Sequence, residues 1–267
     1  MSFYRHKLET MIKKLITIGL FLFISFVFSQ ERAYKDGEWL RFRMSYSGFL
    51  KAGEAELSVK EETLNGKKIF HATGIGRSSS VISWFFKVKD DYQSYFDATT
   101  TFPYLFKRRV NEGGYKIERD LTFNQENKEV HIKDIYRKKE KTVKNSVNVH
   151  DMISTFYHLR NHDTKNMKVG DDIEVNMFFD GEMFPFKLKF LGNEILKTKF
   201  GKVKTQKFTP LVMAGRVFKA KESVSVWITA DDNKIPLKLQ ADLAVGSLRA
   251  DLDEYKGLAN SFEIIVD

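Results

Sequence analysis

The chain has 267 residues, 42% hydrophobic and 14% aromatic, enough apolar mass for a packed core and too much for a disordered polypeptide. It contains no cysteine, which excludes disulfides and thiolate metal sites, so a secreted fold must stand on its core alone, as suits a bacterial periplasm. The formal net charge of +9 is moderate and interleaved with acids, the pattern of ordinary solubility; the other reading is a basic patch for anionic lipid head groups or polysaccharide, and no nucleic-acid partner is expected.

The beginning of the chain is read separately. From Met11 it runs Met-Ile-Lys-Lys, then residues 15–28 without a charge, then Val27-Phe28-Ser29 before Gln30, the order of a basic n-region, an apolar h-region and a small-residue cleavage site. Such a run, as a helix rising ~1.5 Å per residue, covers roughly 21 Å and falls short of a ~30 Å hydrocarbon core. Residues 1–29 are therefore expected to be a cleaved signal peptide, with Met11 as the initiator. No Cys follows the run, so no lipid attachment is expected there. Residues 30–267 are expected to form a single exported β-rich domain, divisible near residue 150, soluble and without a transmembrane span.

Strands follow in order. Leu40, Phe42, Met44 and Tyr46 alternate with Trp39, Arg41, Arg43 and Ser45, and Gly53, Ala55, Leu57 and Val59 repeat the pattern; period two means one buried and one wet face. Asn65-Gly66 is a two-residue hairpin signal, because a type I′ turn needs positive φ at both positions. Residues 78–86, with Trp84, Phe85 and Phe86, are apolar without period two and read as a buried connector, or as a helical turn or lid over the sheet. Alternation resumes over residues 88–96. A Gly113-Gly114 turn joins two further strands, and residues 129–136 and 139–147 add two more.

One convincing helix covers residues 151–161, where Met152, Ile153, Phe156, Tyr157 and Leu159 form a stripe and Asp151 caps the first turn. Then come a strand with Ile173, Val175, Met177 and Phe179, an Asp180-Gly181 turn, a strand with Phe184, Phe186, Leu188 and Phe190, and turns at Gly192-Asn193 and Phe200-Gly201. A loop at Ala214-Gly215 leads to the final strands, where Val224, Val226 and Ile228 alternate with Ser225 and Trp227, and Asp231, Asp232 and Asn233 turn the chain into Ile235, Leu237 and Leu239. About fifteen short strands with one short helix predict an all-β, mainly antiparallel fold: a large, curved, partly closed β-barrel-like meander. It is not an outer-membrane barrel, because charged residues on nearly every wet face would each cost ~2 to 4 kcal/mol near a bilayer midplane.

Catalytic signals are sparse. His158 and His162 stand at zinc-ligand spacing, but the glutamate that follows the first His of a hydrolytic zinc helix is missing; the expectation is no metal and no cofactor. Asp90-Asp91 and Asp231-Asp232 are adjacent pairs, which point to opposite faces of a strand and make poor acid–base dyads. Ser78-Ser79-Ser80 lacks the flanking glycines of a nucleophile elbow. The chain is therefore expected not to be an enzyme.

The 24 Phe, 10 Tyr and 3 Trp either fill the core or line a cleft for an apolar ligand. If a cleft exists, Trp84, Phe85, Phe86, Phe178, Met183, Phe184 and Trp227 are its candidate lining. Phe178 stands on the nominally wet side of its strand, where core packing does not account for it. Arg160, at the helix end, either pairs with a sheet carboxylate such as Asp91 or Asp97 or is a surface cation.

Several spaced features make the chain resemble the exported bacterial family known as domain of unknown function 3108, across residues 37–255. They are Asp91-Tyr92 with Tyr95 and Asp97; Asp151, Ser154, Tyr157 and Arg160; Gly201 with Pro210; Trp227, Asp231, Asp232 and Pro236; and Gly246-Ser247. The resemblance implies an exported, β-rich protein without a cofactor, and carries over no catalytic residue. A fainter likeness joins Trp227, Asp231 and Pro236 to the half-barrels of periplasmic lipoprotein carriers, an analogy of fold.

The expected function is a non-enzymatic periplasmic or cell-envelope protein that holds a lipid, an acyl chain or a lipidated segment such as a lipoprotein's. The alternative is a structural or assembly partner that has a filled core and binds another envelope protein. A hydrolase of envelope polymers has least support, since it needs clustered carboxylates.

Overall fold

The computed structural model describes residues 32–211, 224–243 and 246–266. The apolar leader and the Ala214-Gly215 loop lie outside them. Among the described residues fourteen strands make one antiparallel sheet: β1 (Trp39–Tyr46), β2 (Leu50–Leu64), β3 (Lys67–Ser78), β4 (Lys89–Asp97), β5 (Pro103–Glu112), β6 (Tyr115–Asn124), β7 (Glu129–Asp134), β8 (Lys139–Lys144), β9 (Asp172–Phe179), β10 (Glu182–Thr198), β11 (Gly201–Leu211), β12 (Val224–Thr229), β13 (Pro236–Asp242) and β14 (Ser247–Lys256). The order is β8-β7-β6-β5-β4-β3-β2-β1-β14-β13-β12-β11-β10-β9. Two meanders thus meet where β1 pairs with β14, Trp39 opposite Lys256 and Tyr46 opposite Leu248. The expected all-β, partly closed architecture is the one observed.

Turn chemistry sets the registers. Asn65-Gly66, Gly113-Gly114 and Asp180-Gly181 have φ of 51° and 77°, 54° and 94°, and 52° and 93°, the double positive φ of the turn that matches strand twist. One expected turn is absent. Gly192-Asn193 lies inside the 17-residue β10, where Phe190 pairs with Phe208 and Gly192 with Lys207. Leu191 is the extra residue of a β-bulge, which bends the strand without ending it.

The sheet does not close. Its β9 edge is met by a parallel bridge from His150 to Met177, with the amide of Phe178 donating to the His150 carbonyl at 2.8 Å. Its β8 edge carries Lys139, Lys141 and Lys144, charges that discourage pairing with another chain. The β9–β10 turn leans back over β5 and β6, where Asp180 meets Arg108 at 2.7 Å and Arg119 at 3.5 Å. Both faces of this turn region are therefore covered. That is why Phe178 is only 1% exposed, against Phe123 with ring centroids 6.4 Å apart, and not on a wet face.

Two helices accompany the sheet. The four-residue α1 (Ser80–Ser83) is capped by Ser79 and buries none of its residues. The segment read as a buried connector is instead an exposed turn at the sheet's rim, held by Ser78–Ser83 hydroxyl contact at 2.7 Å and by the Val88 amide donating to Ser78 Oγ at 2.9 Å.

Helix α2 (Met152–Arg160) lies on the concave face and is tied at both ends. At its start Asp151 accepts from the amides of Ile153 and Ser154 at 2.8 and 2.9 Å, while its own amide donates to Ser154 Oγ at 3.0 Å, a capping box. Ser94 Oγ of β4 donates to the same carboxyl at 2.6 Å. Burial drives the Asp151 pKa up to about 6 despite these bonds. Beside it, His150 is held down to about 3 by burial and by the neighbouring His158. The two rings are 4.5 Å apart, and His158 Nδ1 is 2.7 Å from Thr101 Oγ1. Burial also lowers the His158 pKa.

At its end Arg160 is buried. Its guanidinium makes a two-pronged contact with Glu38 at 2.5 and 2.8 Å and donates to the carbonyls of Asn233 and Ala33. Burial acts to lower its pKa, but the Glu38 carboxylate outweighs that and raises it. The partner is neither Asp91 nor Asp97, and the residue is not a surface cation. Asp91 accepts from Gln93 at 3.0 Å, and Asp97 from the Thr99 and Thr100 amides at 2.8 Å and the Tyr104 hydroxyl at 2.9 Å.

Two predictions follow from these anchors. Glu38→Gln strands a buried cation and should lower stability by about 3 to 5 kcal/mol in urea titrations, whereas a paired Glu38→Gln, Arg160→Met change should recover part of the loss; a neutral Glu38→Gln would show that the pair does not hold the helix. The histidines set a pH dependence. A base whose folded pKa is depressed binds its proton first in the unfolded chain, so its contribution is lost as pH falls from about 6.5 toward about 3. Asp151, raised in the folded state, does the reverse and favours folding as pH falls through about 6. His150→Phe should therefore flatten the fall in urea midpoint between about pH 7 and about pH 4.5, and Asp151→Asn should steepen it.

Candidate functional site

Helix α2 divides the space under the sheet. Ile153 and Tyr157 join the larger core with Tyr34, Phe70, Phe96 and Phe123, where Tyr34 and Tyr157 meet edge to face at 4.6 Å. Met152, Thr155, Phe156 and Leu159, spaced i, i+3, i+4 and i+7, line a cleft the protein leaves unfilled, with Met152 and Phe156 also packed against the larger core. Burial raises the Tyr34 hydroxyl pKa to about 12 and raises that of Tyr157 as well, so both stay neutral packing groups.

The cleft has a volume of about 530 Å³. Its walls are inward-facing strand positions: Phe42 of β1, Leu57 of β2, Phe186 and Leu188 of β10, Phe208 of β11, and Val224, Val226 and Ile228 of β12. Small residues keep it open, since Ala55 stands opposite Phe42, and Ala250 of β14 also lines it. Among the described residues, its only ionisable lining groups are Arg160 and Lys234. Arg160 is neutralised by Glu38. Lys234 follows the Asp231–Asn233 turn with a φ of 46°, and burial lowers its pKa. An apolar space of this size with a few polar groups at its margin is suited to a hydrocarbon ligand.

The residues singled out from the sequence are distributed differently. Trp84 is 90% exposed and Phe85 84%, and neither they nor Phe86 line the cleft. Phe178 and Met183 pack in the larger core, and Phe184 is half-buried opposite Met177. Trp227 lies on the outer face between Lys207 and Lys238, each 4.7 Å from its ring, with its indole N–H donating to Glu194. None of these seven forms the cleft wall. The structural motif residues are nearer. Asp151, Ser154, Tyr157 and Arg160 fix the helix, Asp231 accepts from Thr229 Oγ1 at 2.6 Å and the Asn233 amide at 3.0 Å, Pro236 lines the cleft, and Tyr95 stacks on His71 at 4.0 Å. The true walls were visible in the sequence only as the inward half of each alternating strand; Ala55 and Ala250, small residues on that half, were the available signal.

His158 and His162 have no third ligand: among the described residues no group of three or more His, Asp or Glu is arranged to hold a metal ion. Asp90 and Asp91 are separated as expected, Asp90 turning instead toward Glu112, whose pKa is raised by burial and by Asp90.

One solved structure supports the architecture. The β-barrel-like protein of domain of unknown function DUF1849 from Brucella abortus superposes with a TM-score of 0.55 at 10% identity, over 83% of this chain and 98% of that one. A candidate exported protein with a YmcC-like fold from Bacteroides fragilis gives a TM-score of 0.36 at 8% identity, over 84% and 97% of the two chains. A candidate lipoprotein from Parabacteroides distasonis gives 0.35 at 14%, over 85% and 99%. No curated protein matches the chain. The family model described as protein of unknown function, DUF3108, matches residues 41–253, and the chain belongs to that family.

Proposed function

We propose that the protein is a non-enzymatic binding protein of the bacterial periplasm that holds an acyl chain, as part of a lipid or a lipidated segment, in the cleft between α2 and strands β1, β2 and β9 to β14. The observation that carries this reading is the cleft of about 530 Å³ walled by aliphatic and aromatic side chains. A hydrocarbon chain entering it leaves water along its length, a gain of ~0.8 kcal/mol per buried CH₂. Periplasmic placement rests on the apolar leader at residues 15–28 and on the absence of cysteine. The non-enzymatic part is supported by the lining among the described residues, where Arg160 is tied to Glu38 and Lys234 is the remaining ionisable group, too little for an acid–base pair. The alternative of a filled-core partner protein is disfavoured by the same unfilled space.

Native mass spectrometry with lipid extraction, on protein recovered from the periplasm of an expression host, tests the reading. Acyl lipid should co-purify. Leu239→Arg, at a cleft wall that is already 38% exposed and so tolerant of a charge, should reduce retained lipid about tenfold without lowering the melting temperature. Protein that stays free of lipid after reconstitution, or a variant that retains as much as the parent, would overturn it.

A further inference from the structure

Alternation along the meanders puts the last residues of odd-numbered strands at one end of the sheet and those of even-numbered strands at the other. The even end turns through Asn65-Gly66, Thr99-Thr100 and Asp231-Asp232, and its exposed apolar residues are aliphatic: Leu64 at 42%, with Ile264 at 48% and Val266 at 86% on the tail beside Lys202. The odd end carries exposed apolar side chains at turn after turn. Phe49 after β1 is 76% exposed, Trp84 and Phe85 after β3 are 90% and 84%, and Tyr136 after β7 is 57%. The β1–β2, β3–β4 and β5–β6 turns adjoin one another: Leu50 and Val81 line one shallow groove, and the Phe86 ring lies over Gly113 of the β5–β6 turn.

Scattered exposed apolar residues need no explanation, but a contiguous set at one end marks an interaction surface. Its charge identifies the partner. Lys51, Arg77, Lys87 and Lys89 are exposed around the aromatic group; of the acids beside it, Glu54 is half-buried, Asp90 is 7% exposed, and Glu112 faces Asp90 with its pKa raised by burial. Exposed Trp and Phe ringed by Lys and Arg fit the interface of a bilayer that carries anionic head groups: the rings lie at the depth of the head groups and the cations stay in contact with them. A protein partner would be expected to cover such rings with a matching concave surface, whereas the short, fully projecting α1 turn suits insertion into a fluid one.

We propose that the odd end of the sheet, centred on Trp84, Phe85 and Phe86, is a membrane-docking face for anionic lipid surfaces. It goes beyond ligand binding in the cleft and does not depend on it. The test uses vesicles of phosphatidylglycerol with phosphatidylethanolamine, against vesicles of phosphatidylcholine alone. The protein should float with the anionic vesicles and dissociate as salt is raised. The part of the fluorescence that Trp84→Phe removes should be quenched by lipids brominated in the upper acyl chain. Trp84→Ser, Phe85→Ser, Phe86→Ser together should weaken vesicle binding about tenfold or more with an unchanged melting temperature, since none of the three is buried. Leu239→Arg should leave vesicle binding intact, so loss of cleft binding and loss of docking are told apart. Unquenched Trp84, equal vesicle binding by the triple variant, or a dimer that the triple variant abolishes while vesicles remain unbound would each overturn the proposal.

Discussion

The contact on which the arrangement depends is the buried ion pair between Arg160 and Glu38. Isolated burial of either charge would be prohibitive, so each must be satisfied by the other and by fixed backbone oxygens. The guanidinium meets that demand with Glu38, the carbonyl of Ala33 before β1 and the carbonyl of Asn233 between β12 and β13. A single side chain thereby joins the start of one meander, a turn of the other and the end of the helix. Ring faces of Tyr34, Phe156 and Tyr157 lie 5.5 to 5.7 Å from it and exclude water from the pair.

With that end fixed by a charge and the other by the Asp151 cap, the helix cannot settle deeper onto the sheet. A nine-residue helix held only by apolar contacts would be free to close over any adjacent void, because collapse onto apolar surface is favourable and non-directional. Directional anchors at both ends instead fix where Phe156 and Leu159 stand, Leu159 against the Ile173, Phe190 and Phe208 group and Phe156 edge to face with Tyr157. The cleft is the space those anchors protect.

Local chemistry made the sheet readable from sequence. Period-two alternation located the strands, paired positive-φ turns such as Asn65-Gly66 located the hairpins, and Asp151 with Ser154 located the helix start. What escaped was set by distance in the chain. Arg160 pairs with Glu38, 122 residues away, in the segment before β1; that a helix-end Arg meets a carboxylate is legible in the sequence, and which one is not. Phe178 falls on the outer side of its strand when only one face is taken as covered, yet the sheet overlaps itself at the β9–β10 turn. Gly192 stood for a bend, and sequence does not separate a bend that ends a strand from one that continues it. The aromatic triplet at Trp84 drew attention as cleft lining because its hydrophobicity is plain while its direction is not.

The open seam between β8 and β9 has a mechanical meaning. A barrel closed by a full ladder can change its girth only by breaking backbone hydrogen bonds. Here the β9 edge takes only the short His150 bridge, and the β9–β10 turn is held over β5 and β6 by Asp180 against Arg108 and Arg119, side-chain contacts that can shift by rotamer changes. Such a scroll can tighten or loosen by small displacements shared over many strands, keeping every ladder intact, so the space beneath it has no single fixed width.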